Sequence, residues 1–326
     1  MVPKNLFQTQ FSLQEILLTK KLVVVCMLLA LATCAFAQVP ANIRIMKPYN
    51  HNGQQAPQAA TITYNGGPIM NNGATAMYFI YYGNFTAKDK QILNFWGQNI
   101  GASSLYAINT TYFDGSFVSI PAGVQFDPVA NVYADNYSLG KNLTDANVQT
   151  IVKNAITGGH LPDNKDGIYF VLTATDVSET AFGGGFCTLF CGYHGPSTSI
   201  ISGETIKYSF VGNAQTKCPS GCIGNVAIYG DTTSPNGDLG ADGMASVIFH
   251  ELSETVTDPE VNLHTAWAGS CSENGDCCNF VYGTTRIAPN GSHANVKIAN
   301  RPFLLQEMFK LTQHQLPTDT GICAQK

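Results

Sequence analysis

The sequence predicts an α/β fold: a single mixed-sheet domain with packed helices and a disulfide-tied, loop-rich C-terminal part. Two observations predict it. Apolar strand-like runs alternate with helical patterns through roughly the first 260 residues, an order that lays helices against a sheet. Residues 261–326 are dense in cysteine and turn residues, which suits a braced cap on one core.

The elements follow in order. Residues 1–37 carry the layout of a secretory signal peptide. Lys20 and Lys21 precede an apolar run over residues 22–31, and Ala35-Phe36-Ala37 gives a small-x-small cleavage pattern. That run is about half of the ~20 residues a spanning helix needs, so no membrane span is expected after cleavage. Residues 38–75 are rich in Pro, Gly, Asn and Gln and read as an irregular lead-in. The domain proper is expected over 76–326. Residues 77–82 form a strand that Gly83 stops. Thr86, with Asp89 three residues on, opens a helix in the manner of a capping box. Ile92, Phe95 and Trp96 supply its apolar stripe. A second helix begins near Thr144, with Val148, Ile151, Val152 and Ile156 at helical spacing and Gly158-Gly159 as its stop. Residues 168–173 and 206–211 read as buried strands. A third helix runs from about Ala241 to Thr257 and ends before Pro259.

Composition narrows the compartment and the partners. The formal charge is −5 and only 12% of residues are charged. This balance excludes a nucleic-acid partner, which requires a basic patch, and disfavours an anionic membrane surface. Cys26 and Cys34 leave with the leader. The remaining eight are Cys187, Cys191, Cys218, Cys222, Cys271, Cys277, Cys278 and Cys323. An even number in an exported chain reads as disulfides; about 105 pairings are possible and the spacing selects none. The competing use is zinc held by Cys187, Cys191, Cys218 and Cys222, which an oxidising compartment disfavours. Five sequons mark Asn84, Asn109, Asn136, Asn142 and Asn290 as glycan acceptors if they are exposed.

Several segments carry a family resemblance. They include Thr63-Tyr64-Asn65-Gly66-Gly67-Pro68-Ile69-Met70, Tyr81-Tyr82-Gly83-Asn84-Phe85 and Val171-Leu172-Thr173-Ala174-Thr175-Asp176-Val177. Phe186-Cys187-Thr188-Leu189-Phe190-Cys191-Gly192-Tyr193-His194-Gly195 and Pro235-Asn236-Gly237-Asp238-Leu239-Gly240-Ala241-Asp242-Gly243-Met244 follow. In this order, over roughly residues 60–260, the chain resembles the plant EXORDIUM, or phosphate-induced-protein, family. The resemblance implies an exported apoplast or cell-wall protein linked to growth and nutrient responses, with a wall or matrix component as partner. It implies no catalytic mechanism. It leads one to expect a largely apolar helix after the Gly-Met segment, and the helix here departs from that.

That helix reads His250-Glu251-Leu252-Ser253-Glu254-Thr255-Val256-Thr257-Asp258-Pro259. Residues four apart share a helix face, so His250 and Glu254 can hold one divalent cation, zinc before calcium. Glu251 is then placed as the general base of a metal-dependent, peptidase-like hydrolase. Asp258 and Glu273 are the leading further ligands, with Asp276 and His264 as alternates. The same pattern also describes an amphipathic helix with a solvated polar face. On that reading Met244, Ala245, Ile248, Phe249, Leu252 and Val256 face the core, while Ser246, His250, Ser253 and Glu254 face water.

Weaker candidates complete the survey. Asp238 and Asp242 flank Gly240 but lack the full calcium-loop pattern, and Asp242 reads as a helix N-terminal residue. His194 is a distant ligand candidate in a cysteine-flanked loop. Ser253 lacks the Gly-x-Ser-x-Gly elbow of serine hydrolases. The aromatic residues Tyr78, Phe79, Tyr81 and Tyr82 read as a core strand before a sugar-stacking platform, which would mark a non-catalytic carbohydrate-binding or signalling module.

Overall fold

The computed structural model describes residues 38–50 and 60–326, so the leader expected over residues 1–37 lies outside the described residues. The lead-in is less irregular than its composition suggests. It contributes strands β1 (Arg44–Met46) and β2 (Thr61–Tyr64). β3 (Thr75–Tyr82) is buried at all eight positions. Helix α1 (Ala87–Ile100) follows, with Thr86 as its N-cap and a complete capping box to Asp89. Two short strands, β4 (Val124–Gln125) and β5 (Val132–Asp135), precede α2 (Asp145–Thr157), which Thr144 and Asn147 cap in the same way. Then come β6 (Gly167–Thr173), β7 (Gly192–Ser197), β8 (Ile206–Gly212) and α3 (Leu239–Thr257). The C-terminal part holds β9 (Trp267–Gly269), β10 (Met308–Leu311) and β11 (Thr318–Ala324).

The main sheet runs β1-β7-β8-β6-β3-β4, with β5 also paired to β3. β8, β6, β3, β4 and β5 are parallel, and β7 runs antiparallel to both β8 and β1. Parallel strands covered on both faces read as nearly continuous apolar runs, and β3, β6 and β8 are buried throughout. Helices cover both faces. The Tyr208 hydroxyl on β8 donates to Asp145 Oδ1 of α2 at 2.7 Å. Its neighbour Ser209 points the other way, in register with His194 of β7, whose side chain meets α3. The aromatic residues of β3 are core: Tyr78 is 4% exposed, and Phe79, Tyr81 and Tyr82 are fully buried. A sugar-stacking platform on that strand is thereby excluded.

The second sheet is antiparallel, in the order β9-β2-β11-β10. A strand from the lead-in thus sits between two C-terminal strands, so the cap is closed by residues from both ends of Val39–Lys326. Disulfides join Cys187 to Cys218, Cys191 to Cys222, Cys271 to Cys277, and Cys278 to Cys323. The first two pairs consume the thiols that a cysteine zinc site would need, and that alternative falls. Of the sequon asparagines, Asn84, Asn136, Asn142 and Asn290 are exposed. Asn109 is not an acceptor site in the folded chain. It is fully buried, and its amide donates to Ser253 Oγ at 3.2 Å. Among the described residues no helix is long and apolar enough to cross a membrane.

Two outcomes follow. The Cys278–Cys323 bridge closes a separation of 45 residues; replacing both cysteines by serine should lower stability by about 4 kcal/mol, read as a shifted denaturant midpoint. Glu179 is buried, with Oε2 accepting from the Ala181 N–H at 3.0 Å and Oε1 unpartnered. Burial pushes its carboxyl up to about 8 from an ordinary 4.5. Between those values the unfolded chain releases a proton that the folded chain keeps, so stability falls as pH rises through this window. Glu179→Gln should flatten that part of a stability–pH profile.

Candidate metal centre

α3 is the central helix of the molecule, and Gly240–Thr257 are all buried. Asp238 caps its N-terminus by accepting from the Ala241 N–H at 3.0 Å, while Asp242 accepts from the Asn236 backbone and side chain. Both acids hold the helix start, and neither belongs to a candidate ligand group among the described residues. The solvated polar face expected of an amphipathic helix is absent. His250, Glu251, Ser253 and Glu254 are 0% exposed, and Ser246 is 4% exposed. A buried carboxylate needs partners, because an uncompensated charge in a dry interior is strongly disfavoured. The surroundings of α3 are arranged to supply them.

Four segments converge on this face. β7 brings His194, which pairs in register with Arg44 of β1, so the two side chains share one face of the sheet. The loop after β9 brings Glu273 and Asp276, and the Cys271–Cys277 and Cys278–Cys323 bridges flank it. The segment before β10 brings Gln306. Two glycines make room. A Cβ at Gly192 would lie 2.9 Å from Glu251 Oε1 and 2.6 Å from Val247, and one at Gly275 would lie 2.8 Å from Glu254 Oε1. Both are close approaches that only glycine permits.

The distances describe one connected cluster. His194 Nδ1 lies 3.0 Å from Glu251 Oε2 and 3.5 Å from Glu254 Oε2, and His194 Nε2 lies 3.8 Å from Glu273 Oε1. His250 Nε2 lies 3.0 Å from Glu254 Oε1 and 3.9 Å from Asp276 Oδ1. Arg44 Nε stands 3.5 Å from Glu273 Oε2. The Asp276 N–H donates to Glu254 Oε1 at 2.9 Å. Around the other side of His250, Gln306 Nε2 donates to the Gly275 carbonyl at 2.7 Å, and Gln306 Oε1 accepts from the Phe280 N–H at 3.1 Å. The amide of Gln306 also lies against His250 Nδ1 and thereby fixes the ring. A residue so placed orients a ligand without being one.

Several of these atoms have no hydrogen-bond partner within the protein although they are buried: His194 Nε2, His250 Nε2, Glu251 Oε1, Glu254 Oε2, and both oxygens of Glu273. Buried polar atoms are nearly always satisfied. Here imidazole nitrogens and carboxylate oxygens crowd together without such partners. The electrostatics express the same imbalance. Burial pulls His194 down to about 4, so its imidazole is neutral. Burial also opposes charge on His250, but Glu254, with Glu251 and Asp276, outweighs it and pushes that ring up to about 10. Burial would raise Glu254, but His250 wins and holds it below the usual carboxylate range. Burial drives Glu251 and Glu273 well above that range and Asp276 to about 7. Protons or metal ions are the species that can occupy such a place.

Among the described residues, two groups have ligand atoms close enough together for an ion: His194, Glu254 and Glu273, and His250, Glu251 and Glu254. His250, Glu254 and Glu273, expected as ligands, are thus brought together, and Glu251 stands among them. Asp276 lies at the margin, with its side chain 16% exposed. Two of the expected ligands stand outside both groups. Asp258 is one turn beyond Glu254, but the helix ends there with φ −142° and ψ 70°. Its carboxylate turns instead to accept from the Ala266 N–H at 2.8 Å, and it belongs to neither group. His264 is 74% exposed and lies against Glu260 at 3.0 Å, outside the cluster. Sequence reasoning gave His194 little weight and did not single out Arg44 or Gln306, all three of which the fold brings to the cluster. The available signal was Gly192-x-His194, an alternation that puts a gap and an imidazole on one strand face.

Gln306→Leu removes an amide that pairs two buried backbone groups, the Gly275 carbonyl and the Phe280 N–H. Each unpaired group costs about 1–3 kcal/mol, so the substitution should lower stability by about 2–4 kcal/mol in a denaturant titration. A loss below 0.5 kcal/mol would show that the amide does not hold the loop.

Comparison with known proteins agrees with this architecture's sequence signature. Residues 62–315 match the family described as the phosphate-induced protein 1 conserved region. The chain is 33% identical to Protein EXORDIUM-like 3 of Arabidopsis thaliana, over 68% of this chain and 70% of that protein. It is 30% identical to Protein EXORDIUM-like 5 of the same plant, over 68% of this chain and 65% of that protein. It is also 30% identical to Protein PHOSPHATE-INDUCED 1 of Nicotiana tabacum, over 70% of this chain and 75% of that protein. No solved structure matches. On these matches, the chain belongs to the phosphate-induced protein 1, or EXORDIUM-like, family.

Proposed function

We propose that this is an exported protein that works at the cell wall or extracellular matrix in growth or nutrient responses, and that its buried His/Glu cluster holds a divalent metal ion, zinc, as an internal brace. The observation that carries the location is the pairing of all eight cysteines of residues 38–326, since disulfides persist in oxidising compartments. The family's printed names, EXORDIUM-like and PHOSPHATE-INDUCED 1, support the growth and nutrient context. The metal rests on the unpartnered atoms of His194, Glu254 and Glu273. Nitrogen and oxygen donors of this kind suit zinc.

A bracing role fits the burial better than hydrolysis does. A hydrolytic zinc keeps one coordination position open to water and substrate. Here both imidazoles and Glu251, Glu254 and Glu273 are 0% exposed, so a substrate would have to displace part of the core to reach them. With the ion in place, Glu251 would serve as its neighbour rather than as a general base.

The test has two arms. An epitope-tagged chain should appear in the medium or in wall extracts, with a glycan-dependent mass that drops in an Asn84→Gln/Asn136→Gln/Asn142→Gln variant; retention in the cytosol would end the exported reading. Purified protein should contain zinc, and chelation should lower its thermal midpoint by about 5–10 °C. Metal-free protein with an unchanged midpoint would end the brace.

A further inference from the structure

Resting on that metal reading, we propose that the cluster is a dinuclear centre: Glu254 bridges two divalent first-row cations, one beside His250 and the other beside His194. The carboxylate already has the required disposition. Its two oxygens address different imidazoles: Oε1 lies 3.0 Å from His250 Nε2, and Oε2 lies 3.5 Å from His194 Nδ1. Metal bonds of about 2.0–2.2 Å place neighbouring ligand atoms about 3.0–3.5 Å apart. Both contacts fall in that interval. Neither His250 Nε2 nor Glu254 Oε2 has a well-aligned hydrogen-bond partner within the protein.

The two ligand groups share Glu254 and no other residue. His194, Glu254 and Glu273 would surround one ion. His250, Glu251 and Glu254 would surround the other, with Asp276 Oδ1 3.9 Å from His250 Nε2 at its outer edge. Glu251 Oε2 also reaches His194 Nδ1 at 3.0 Å, so it spans the same gap from the other side. Two imidazoles and four carboxylates make a nitrogen and oxygen donor set without sulfur, which suits zinc or manganese.

Glu251, Glu254, Glu273 and Asp276, together with Asp258 beside Glu273, bring five carboxylates into one region. Arg44 is the guanidinium in contact with Glu273. A buried region so dense in carboxylates calls for cations.

The experiment uses the oxidised, leader-free protein, stripped with chelator and reloaded. Zinc content and calorimetric titration should give two ions per folded chain. Manganese loading should give an exchange-coupled electron paramagnetic resonance spectrum. His194→Asn and His250→Asn should each retain one ion, with half the bound manganese and an uncoupled spectrum. Circular dichroism checks that each variant folds; should one fail, the wild-type stoichiometry and spectrum decide alone. One zinc per wild-type chain with uncoupled manganese would overturn the dinuclear centre and leave the single-ion brace standing. No retained ion would overturn both.

Discussion

The structure turns on a buried helix that is not apolar. α3 lies inside the molecule along Gly240–Thr257, yet one of its faces carries an imidazole and two carboxylates. Water cannot solvate them there. Each neighbouring segment therefore contributes something specific: an imidazole from β7, a guanidinium from β1, two acids from the disulfide-flanked loop, and an amide from the segment before β10. The register of β1 on β7 matters for the same reason. A slip of one residue would turn His194 and Arg44 to opposite faces, and the acids of α3 would lose their neighbours.

The fold was largely legible because its signals are local. Thr86 with Asp89, and the apolar spacing of Val148, Ile151, Val152 and Ile156, each specify a helix within one or two turns. The apolar runs at 77–82, 168–173 and 206–211 mark the buried parallel strands. β1 and β2 were not legible, because strands of three and four residues carry no measurable period and are recognised only through their partners.

The site divides along the same line. His250, Glu251 and Glu254 were visible from spacing on one helix, and Glu273 from its place in an acidic, cysteine-rich loop. His194 and Arg44 were not, since they meet Glu273 and the helix through strand pairing across some 150 residues of chain. Asp258 falls outside both groups because the backbone leaves the helix at that residue. The polar arc of α3 was compatible with solvent on its own face pattern, and only the packing of β1, β7 and the loop over it decided otherwise.

The interleaving of β2 between β9 and β11 has a consequence for biogenesis. Thr61–Tyr64 cannot complete its sheet until Thr318–Ala324 has been made and has returned to it, and Cys323, on that strand, must reach Cys278 across a separation of 45 residues. Closing this sheet is therefore a long-range step that waits on both ends of Val39–Lys326.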